Sequence, residues 1–381
     1  MTFEAADRVA SVPPSGIRRF FELAEEMDDI ISLGVGEPDF SAPWAAREAA
    51  IASLERGQTS YTANRGKREL RERIADYEAA THNLQYDPDE EILVTAGASE
   101  GLDLAFRALL NPGDSIAIAQ PCYVSYVPGA TFAGIDVIDV PTRAEDEFKL
   151  TREVLESSGA AEADALVYCY PNNPTGATMT AEEMASVAAF CRENDLLVFA
   201  DEIYADLTYE HDHTSIATLP GMRERTVVFN GFSKAFAMTG FRLGYAMAPP
   251  EAIEAMNRIH QYSMLSAPTT AQHAAIEALD NCRDEVTDMA AQYDRRRKYV
   301  LTRFEEMGLD CFPAAGAFYA FPECPWDDAG EFAESLLQEK RVAVVPGTAF
   351  GEGGSGHLRV SYATGLDDLK EAMARIESFI D

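Results

Sequence analysis

Lys234 stands in the stretch Phe232-Ser-Lys-Ala-Phe-Ala-Met238, a poor setting for a solvated ammonium group. A lysine in apolar surroundings loses its proton more readily and becomes a nucleophile. Four other stretches carry residue types that could work beside it. Gly97-Ala98-Ser99 puts small residues at a helix start, where free N–H groups suit a phosphate. Asn173-Pro174-Thr-Gly176 offers a side-chain amide, Asp201-Glu-Ile-Tyr204 a carboxylate and a phenol, and Tyr123 an aromatic face. Each also has a plainer reading. Small residues at a helix start are ordinary turn chemistry, Asn-Pro-Thr-Gly is a turn by composition, and Asp201 could be a helix cap. His211-Asp-His213 could be a metal pair, but it lies in a polar stretch with no third ligand in view and reads as solvated.

These pieces gain weight from their places in the chain. Apolar runs alternate with amphipathic stretches, the pattern of a mostly parallel sheet covered by helices. The strand candidates are Ile92–Thr95, Ser115–Ala119, Ala165–Tyr170, Leu196–Ala200, Thr226–Asn230 and Arg242–Ala248. Most are continuously apolar, as strands covered on both faces should be. Ligands of such sheets bind beyond the carboxyl ends of the strands. The first five candidates lead directly into the Gly97, Tyr123, Asn173, Asp201 and Lys234 stretches, so one pocket could collect them all. Thr180 and Glu183 form a capping box. A helix from about Glu100 to Leu110 carries Leu102, Ala105, Phe106 and Leu109 on one face and stops at Asn111-Pro-Gly113. Composition shifts near Asn281–Tyr299, and short strands follow at Gly316–Phe321, Val342–Val345 and Leu358–Tyr362, with Gly351–Gly356 as a loop. The expected division is residues 1–45 packing with a small C-terminal domain, 46–285 as the large domain, and 286–381 as the small one.

The chain has 381 residues with 47% hydrophobic and 25% charged, enough to bury a core. Thirty-one basic against 64 acidic residues give a net charge of −33, and only six of the basic residues are lysines. No basic stripe follows a phosphate backbone, so nucleic acid and anionic membranes are poor partners. The acidic residues are scattered rather than gathered in a tail. That pattern fits a salt-rich cytoplasm, where screening suppresses self-repulsion. The six cysteines form no CxxC pair, and Cys122, Cys169 and Cys191 read as buried free thiols of a reducing compartment. The N-terminus lacks the basic start and apolar stretch of a signal peptide, and no apolar run is long enough to span a membrane. A cytoplasmic location is the expectation.

The sequence resembles the class I/II aminotransferases, pyridoxal 5′-phosphate enzymes of fold type I, over almost its whole length. The resemblance is carried by Ser32-Leu-Gly-Val-Gly-Glu-Pro-Asp-Phe40, Tyr170-Pro-Asn-Asn-Pro-Thr-Gly176, Ala200-Asp-Glu-Ile-Tyr204, Ser233-Lys-Ala-Phe-Ala-Met-Thr-Gly-Phe-Arg-Leu-Gly244 and Leu358-Arg-Val-Ser-Tyr-Ala-Thr364. It implies an α/β fold: a mostly parallel seven-stranded sheet in a large domain with helices on both faces, plus a smaller α+β domain. It also implies roles. Lys234 holds the cofactor as a Schiff base and moves the substrate's Cα proton. Asp201 keeps the pyridine nitrogen protonated, Tyr204 and Asn173 bond the ring's phenolate oxygen, and Tyr123 stacks on the ring. Gly97, Ala98, Ser99, Ser233 and Arg242 hold the phosphate, with Tyr61 reaching in from the neighbouring subunit of a homodimer. Arg359 clamps the substrate's α-carboxylate, helped by Gly36 and Asn173. No metal is implied. One departure is Gly231, where many family members carry a serine three residues before the lysine.

The reaction so implied is transamination between an L-amino acid and a 2-oxo acid such as 2-oxoglutarate. Aspartate or an aromatic amino acid is the expected donor, since the motifs resemble archaeal enzymes of both kinds. A carbon–sulfur β-lyase on the same scaffold is the alternative. A dehydrogenase would want GxGxxG after a first strand, and Gly34-Val-Gly36 continues to Asp39 instead. A cofactor-binding transcription regulator would need a basic DNA-reading domain before Gly16. For the substrate's side chain, Arg18, Arg107, Arg258 and Tyr262 are candidates, with Gly16 and Ile17 at the pocket mouth.

Overall fold

Side-chain alternation in the apolar strands dictates the layers. The computed structural model describes residues 3–14, 27 and 29–380. Its main sheet has seven strands: β1 (Ile92–Thr95), β2 (Ser115–Gln120), β3 (Asp136–Pro141), β4 (Ala165–Cys169), β5 (Leu197–Asp201), β6 (Thr226–Gly231) and β7 (Gly244–Met247). Their order across the sheet is β1-β7-β6-β5-β4-β2-β3, and only β7 runs against its neighbours. Ile118, Val167, Phe199 and Phe229 face helices Ala98–Leu109 and Pro250–Ser263. Ala117, Leu166 and Val198 face Ala181–Glu193, and Val94 and Val228 face Arg68–Thr81 and Thr269–Asn281. A strand whose successive residues enter two apolar layers must be apolar throughout.

The strand that continuous apolarity does not mark is β3. Asp136-Val-Ile-Asp-Val-Pro lies at the sheet's edge, is partly exposed and ends in proline, all expected of an edge strand. The capping box at Thr180 and Glu183 is present with both reciprocal bonds.

After the long helix Arg283–Glu306, short strands Val345–Pro346, Leu358–Ser361 and Tyr319–Ala320 form a small antiparallel sheet. Helices Ala329–Lys340 and Leu366–Ile380 pack beside it. The expected strand Val342–Val345 is two pieces. Val342–Ala343 pairs in parallel with Ile31–Ser32, while Val345–Pro346 pairs with Leu358 and Arg359. The chain switches partners at Val344, so one apolar run serves two sheets. Likewise Gly316–Phe321 narrows to Tyr319–Ala320.

Phe199 is fully buried, with ring contacts to Phe106 and Phe229 at centroid separations of 5.9 and 6.4 Å. Phe199→Ala should cost about 3–5 kcal/mol through lost transfer energy and a cavity, read as a lower denaturant midpoint at unchanged slope.

Candidate active site

The carboxyl ends of β1, β2, β4, β5 and β6 meet at one cavity of about 470 Å³. Ala98, Ser99, Tyr123, Asn173, Asp201, Tyr204, Ser233, Lys234 and Arg242 line it from the large sheet. Gly36 and Arg359 close it from the other side, next to the small sheet.

Lys234 follows β6 by three residues, in a bend that returns to β7. Its Nζ donates to the Gly36 carbonyl at 2.6 Å and lies 5.7 Å from the Tyr204 ring and 5.6 Å from the Phe318 ring. Burial, with Arg359 nearby, lowers its pKa to about 8, so far more of the amine is neutral near neutrality than for an ordinary lysine, although the charged form still predominates at pH 7. Asp201 ends β5 and is 4% exposed. Burial raises its carboxyl to about 6. The Tyr126 hydroxyl donates to it at 2.6 Å and the Ile203 amide at 3.3 Å, which limits the rise.

The turn after β4 serves packing and chemistry together. Thr175 donates its amide and its hydroxyl to Asn172 Oδ1, at 3.1 and 2.8 Å, and Gly176 sits at φ +75°. A Cβ at Gly176 would stand 2.5 Å from the Tyr319 carbonyl, so glycine lets the turn lie against the small sheet. That contact presents Asn173 to Arg359, whose Nη1 donates to Asn173 Oδ1 at 2.9 Å. Arg359 Nη2 donates to Gly34 O at 2.6 Å. The guanidinium lies between the Tyr319 and Phe350 rings, 4.7 and 4.6 Å from their centroids, and its Nε is buried without a hydrogen-bond partner.

At the opposite end, Gly97 (φ +84°) leads into helix Ala98–Leu109, whose first amides have no intrahelical acceptor. A Cβ at Gly97 would meet Arg242 Nη2 at 3.0 Å, so backbone and guanidinium close round the same space. At Gly231, a Cβ would stand 2.8 Å from Gly244 Cα. Here the facing pair Gly231 and Gly244 brings β6 and β7 too close for a serine.

Sequence reading missed two members of the site. Tyr126 stands one helical turn beyond Tyr123, and the Tyr319 hydroxyl is 2.9 Å from that of Tyr204. Gly36 is where it is because of Tyr319, whose hydroxyl would lie 2.5 Å from any Cβ there. Tyr319 was legible only as part of an apolar strand. Tyr61 is 80% exposed and does not line the cavity; neither do Arg107, Arg258 or Tyr262. Arg107 and Arg258 pair within their own helices, with Asp103 and Glu254. Gly16, Ile17 and Arg18 lie outside the described residues. His211 and His213 are not the solvated pair expected. The His213 side chain is only 7% exposed, with Nε2 3.0 Å from Glu202, and half-buried His211 has Nε2 2.9 Å from the Thr178 hydroxyl.

Residues 28–376 match the family model for aminotransferases of class I and II. The chain belongs to that family. It is 43% identical to the aspartate aminotransferase of Pyrococcus abyssi, over 98% of both chains. It is 41% identical to aromatic-amino-acid aminotransferase 2 of Thermococcus litoralis, again over 98% of both. The crystal structure of Thermus thermophilus aspartate aminotransferase with maleate superposes with a TM-score of 0.93 at 37% identity, covering 99% of this chain and 100% of that one. This aminotransferase is therefore an enzyme of transamination between an amino acid and a 2-oxo acid, and its family uses pyridoxal 5′-phosphate.

The residues present fit that cofactor. A buried carboxylate facing the cavity suits a protonated ring nitrogen, a helix start beside an arginine suits a phosphate, and a lysine with lowered pKa suits an aldehyde carbon.

In cofactor-free protein, trapping of the Lys234 amine by a small aldehyde and borohydride should rise through pH about 8. Ordinary lysines follow only near pH 10. Lys234→Arg should remove the early phase, as peptide mapping of the reduced adduct would show.

Proposed function

We propose that this aminotransferase transfers the amino group of aspartate or an aromatic L-amino acid to 2-oxoglutarate, at a site built on Lys234. The observation that carries the reading is the meeting of the Lys234 amine, the Asp201 carboxylate and the Arg359 guanidinium at one cavity. The donors are those named for its relatives. When bound, the cofactor supplies an electron sink that makes the substrate's Cα–H acidic.

The chain's own groups do the rest. Lys234 Nζ would anchor the cofactor covalently and, as a free amine, would be the base placed to take the proton off the substrate's Cα. Asp201 holds a proton on the ring nitrogen, opposite charges favouring the charged form. Tyr204, backed by Tyr319, and Asn173 would bond the ring's phenolate oxygen, and Tyr123 would pack against the ring. The amides of Gly97, Ala98 and Ser99 and the hydroxyl of Ser233 take the phosphate, with Arg242 as a charged fork. Arg359 receives the substrate's α-carboxylate, with the Gly36 amide and Asn173 beside it.

The phosphate end is exposed in a single chain. Ser99 and Arg242 lie at the surface there, and a groove runs from Arg242 to Pro268 and Ala271. Nearby, the loop with Tyr61 is tied to the segment after helix Pro250–Ser263: Asn64 donates to the Leu265 carbonyl and Thr269 to that of Ser60. Tyr61, Met264 and Leu265 are exposed on these segments, as is Tyr262 in the last turn of that helix. Such an apolar rim supports a homodimer whose second subunit brings Tyr61 to the phosphate. We read residues 30–45 as packing with the small domain 286–381 through Ile31–Ser32, and 46–285 as the large domain; helix Asp7–Ala10 of the expected N-terminal segment lies instead against helix Tyr126–Ala133 of the large one. The −33 charge with few lysines supports work in a salt-rich cytoplasm.

In concentrated potassium chloride, the loaded protein should be yellow, bleach with glutamate and regain its colour with 2-oxoglutarate. A protein that stays yellow while releasing ammonia and pyruvate from a cysteine-type substrate would overturn the reading. Lys234→Ala should abolish turnover. Arg359→Ala should raise KM at least tenfold for every amino acid, because each charge-assisted bond contributes about 1.5–3 kcal/mol. An effect confined to one substrate would place Arg359 at the side-chain end.

A further inference from the structure

Behind the site lies a second set of ionisable groups that the chemistry does not use. Glu202, His82 and Glu78 are nearly inaccessible, and the side chains of Asp206 and His213 are less than a tenth exposed. Glu202 directly follows Asp201, and its amide still donates to the Phe229 carbonyl at 2.9 Å, continuing the strand pairing. Alternation therefore sends the two carboxylates to opposite sides. Asp201 meets Tyr126 on the cavity side. Glu202 accepts from Ser215 at 2.8 Å and lies 3.0 Å from His213 Nε2 on the other.

The turn carrying Tyr204 is closed by the Ala205 amide to the Glu202 carbonyl and the Leu207 amide to the Tyr204 carbonyl, at 2.9 and 2.8 Å. Its far end is Asp206, which accepts from the Tyr77 hydroxyl and lies 3.5 Å from His82 Nε2. The His82 and His213 rings meet edge to face at 5.6 Å, joining the two ends. A branch reaches the lysine strand: Glu78 accepts from Asn230 at 3.1 Å and Tyr245 at 2.6 Å, and Asn230 Oδ1 accepts from the Gly231 amide.

We propose that the His82–Asp206–Glu202–His213 cluster is a positioning device for Asp201, clamping the 202–206 turn from behind and setting the electric field at the Asp201 carboxylate. Burial alone would strip the His82 proton, but Asp206, with Glu78 and Glu202, outweighs it and holds the imidazole near pKa 9. The cluster so carries a cation among three carboxylates, and burial keeps Glu78 above the usual carboxylate range. Tyr77, Tyr245 and Tyr168 face the cluster as neutral phenols, with Arg283 stacked outside Tyr77 and Arg223 outside Tyr86. On Asp201 itself, burial and the Glu202 charge favour the protonated form, whereas Tyr126, Ile203 and Lys234 oppose it.

The test takes Asp201's hold on the cofactor from the reading above and follows the acid-side pH at which loaded enzyme releases half its cofactor, by absorbance and gel filtration. Glu202→Gln should lower that midpoint and His82→Gln should raise it. The Glu202→Gln shift should be about half a pH unit, as for a unit charge roughly 10 Å away at an effective dielectric of about 50, and the opposite His82→Gln shift smaller. Ser215→Ala removes a bond but no charge and should leave the midpoint in place. That pairing with Glu202→Gln carries the test even if His82→Gln does not fold. Shifts of one sign in both charge variants, or a Ser215→Ala shift matching that of Glu202→Gln, would overturn the proposal. Asp201→Asn is the control on the reading beneath it. If it retains the wild-type midpoint, Asp201 does not hold the cofactor, and the failure lies there rather than in the cluster.

Discussion

Desolvation at the carboxyl edge of the sheet governs this molecule. An ionisable group taken out of water must be neutralised, paired or hydrogen-bonded. Asp201, Lys234 and Arg359 are all withdrawn from water around one cavity, and burial displaces the titration of each from its ordinary value. An aspartate that resists ionisation benefits from a cationic partner, and a lysine that sheds its proton is available as a nucleophile. The chemistry follows from where the groups are buried as much as from what they are.

The same constraint organises the backbone. Parallel strands end together, so residues far apart in the chain emerge at one edge, and helix starts and turns follow them there. Close approach then decides individual positions. Gly36 yields to the Tyr319 hydroxyl, Gly97 to Arg242, Gly176 to the Tyr319 carbonyl, and Gly231 and Gly244 to each other. Each keeps a side chain out of space that a functional group or a neighbouring strand needs. The small sheet takes part directly, because Arg359 lies on its middle strand and reaches Asn173 of the large one. That contact ties the two sheets together across the cavity.

Burying acids and bases on both sides of one strand end couples structure to charge. Asp201 looks into the cavity while Glu202 looks into a packed layer, and each needs its own partners. A sheet only one residue thick cannot insulate two such groups from each other.

Much was legible in the chain alone. Apolar runs located six of the seven main strands, because strands covered on both faces admit no polar alternation. The stretches after five of them located the Lys234, Asp201, Asn173, Tyr123 and Ala98–Ser99 corner, because ligands bind at strand ends. The motifs around Gly36, Asn173, Asp201, Lys234 and Arg359 carried the family. Tertiary structure decided the rest. Strand β3 escaped because an edge position relaxes the demand for apolar residues, and Val342–Val345 divided because each short piece found a different partner. Tyr126 and Tyr319 joined the site through packing between helix, turn and small sheet, which no local pattern records. His213 left solvent for Glu202 for the same reason. Local sequence sets what a segment prefers, but which buried charge meets which is settled only when distant segments are pressed into the same dry space.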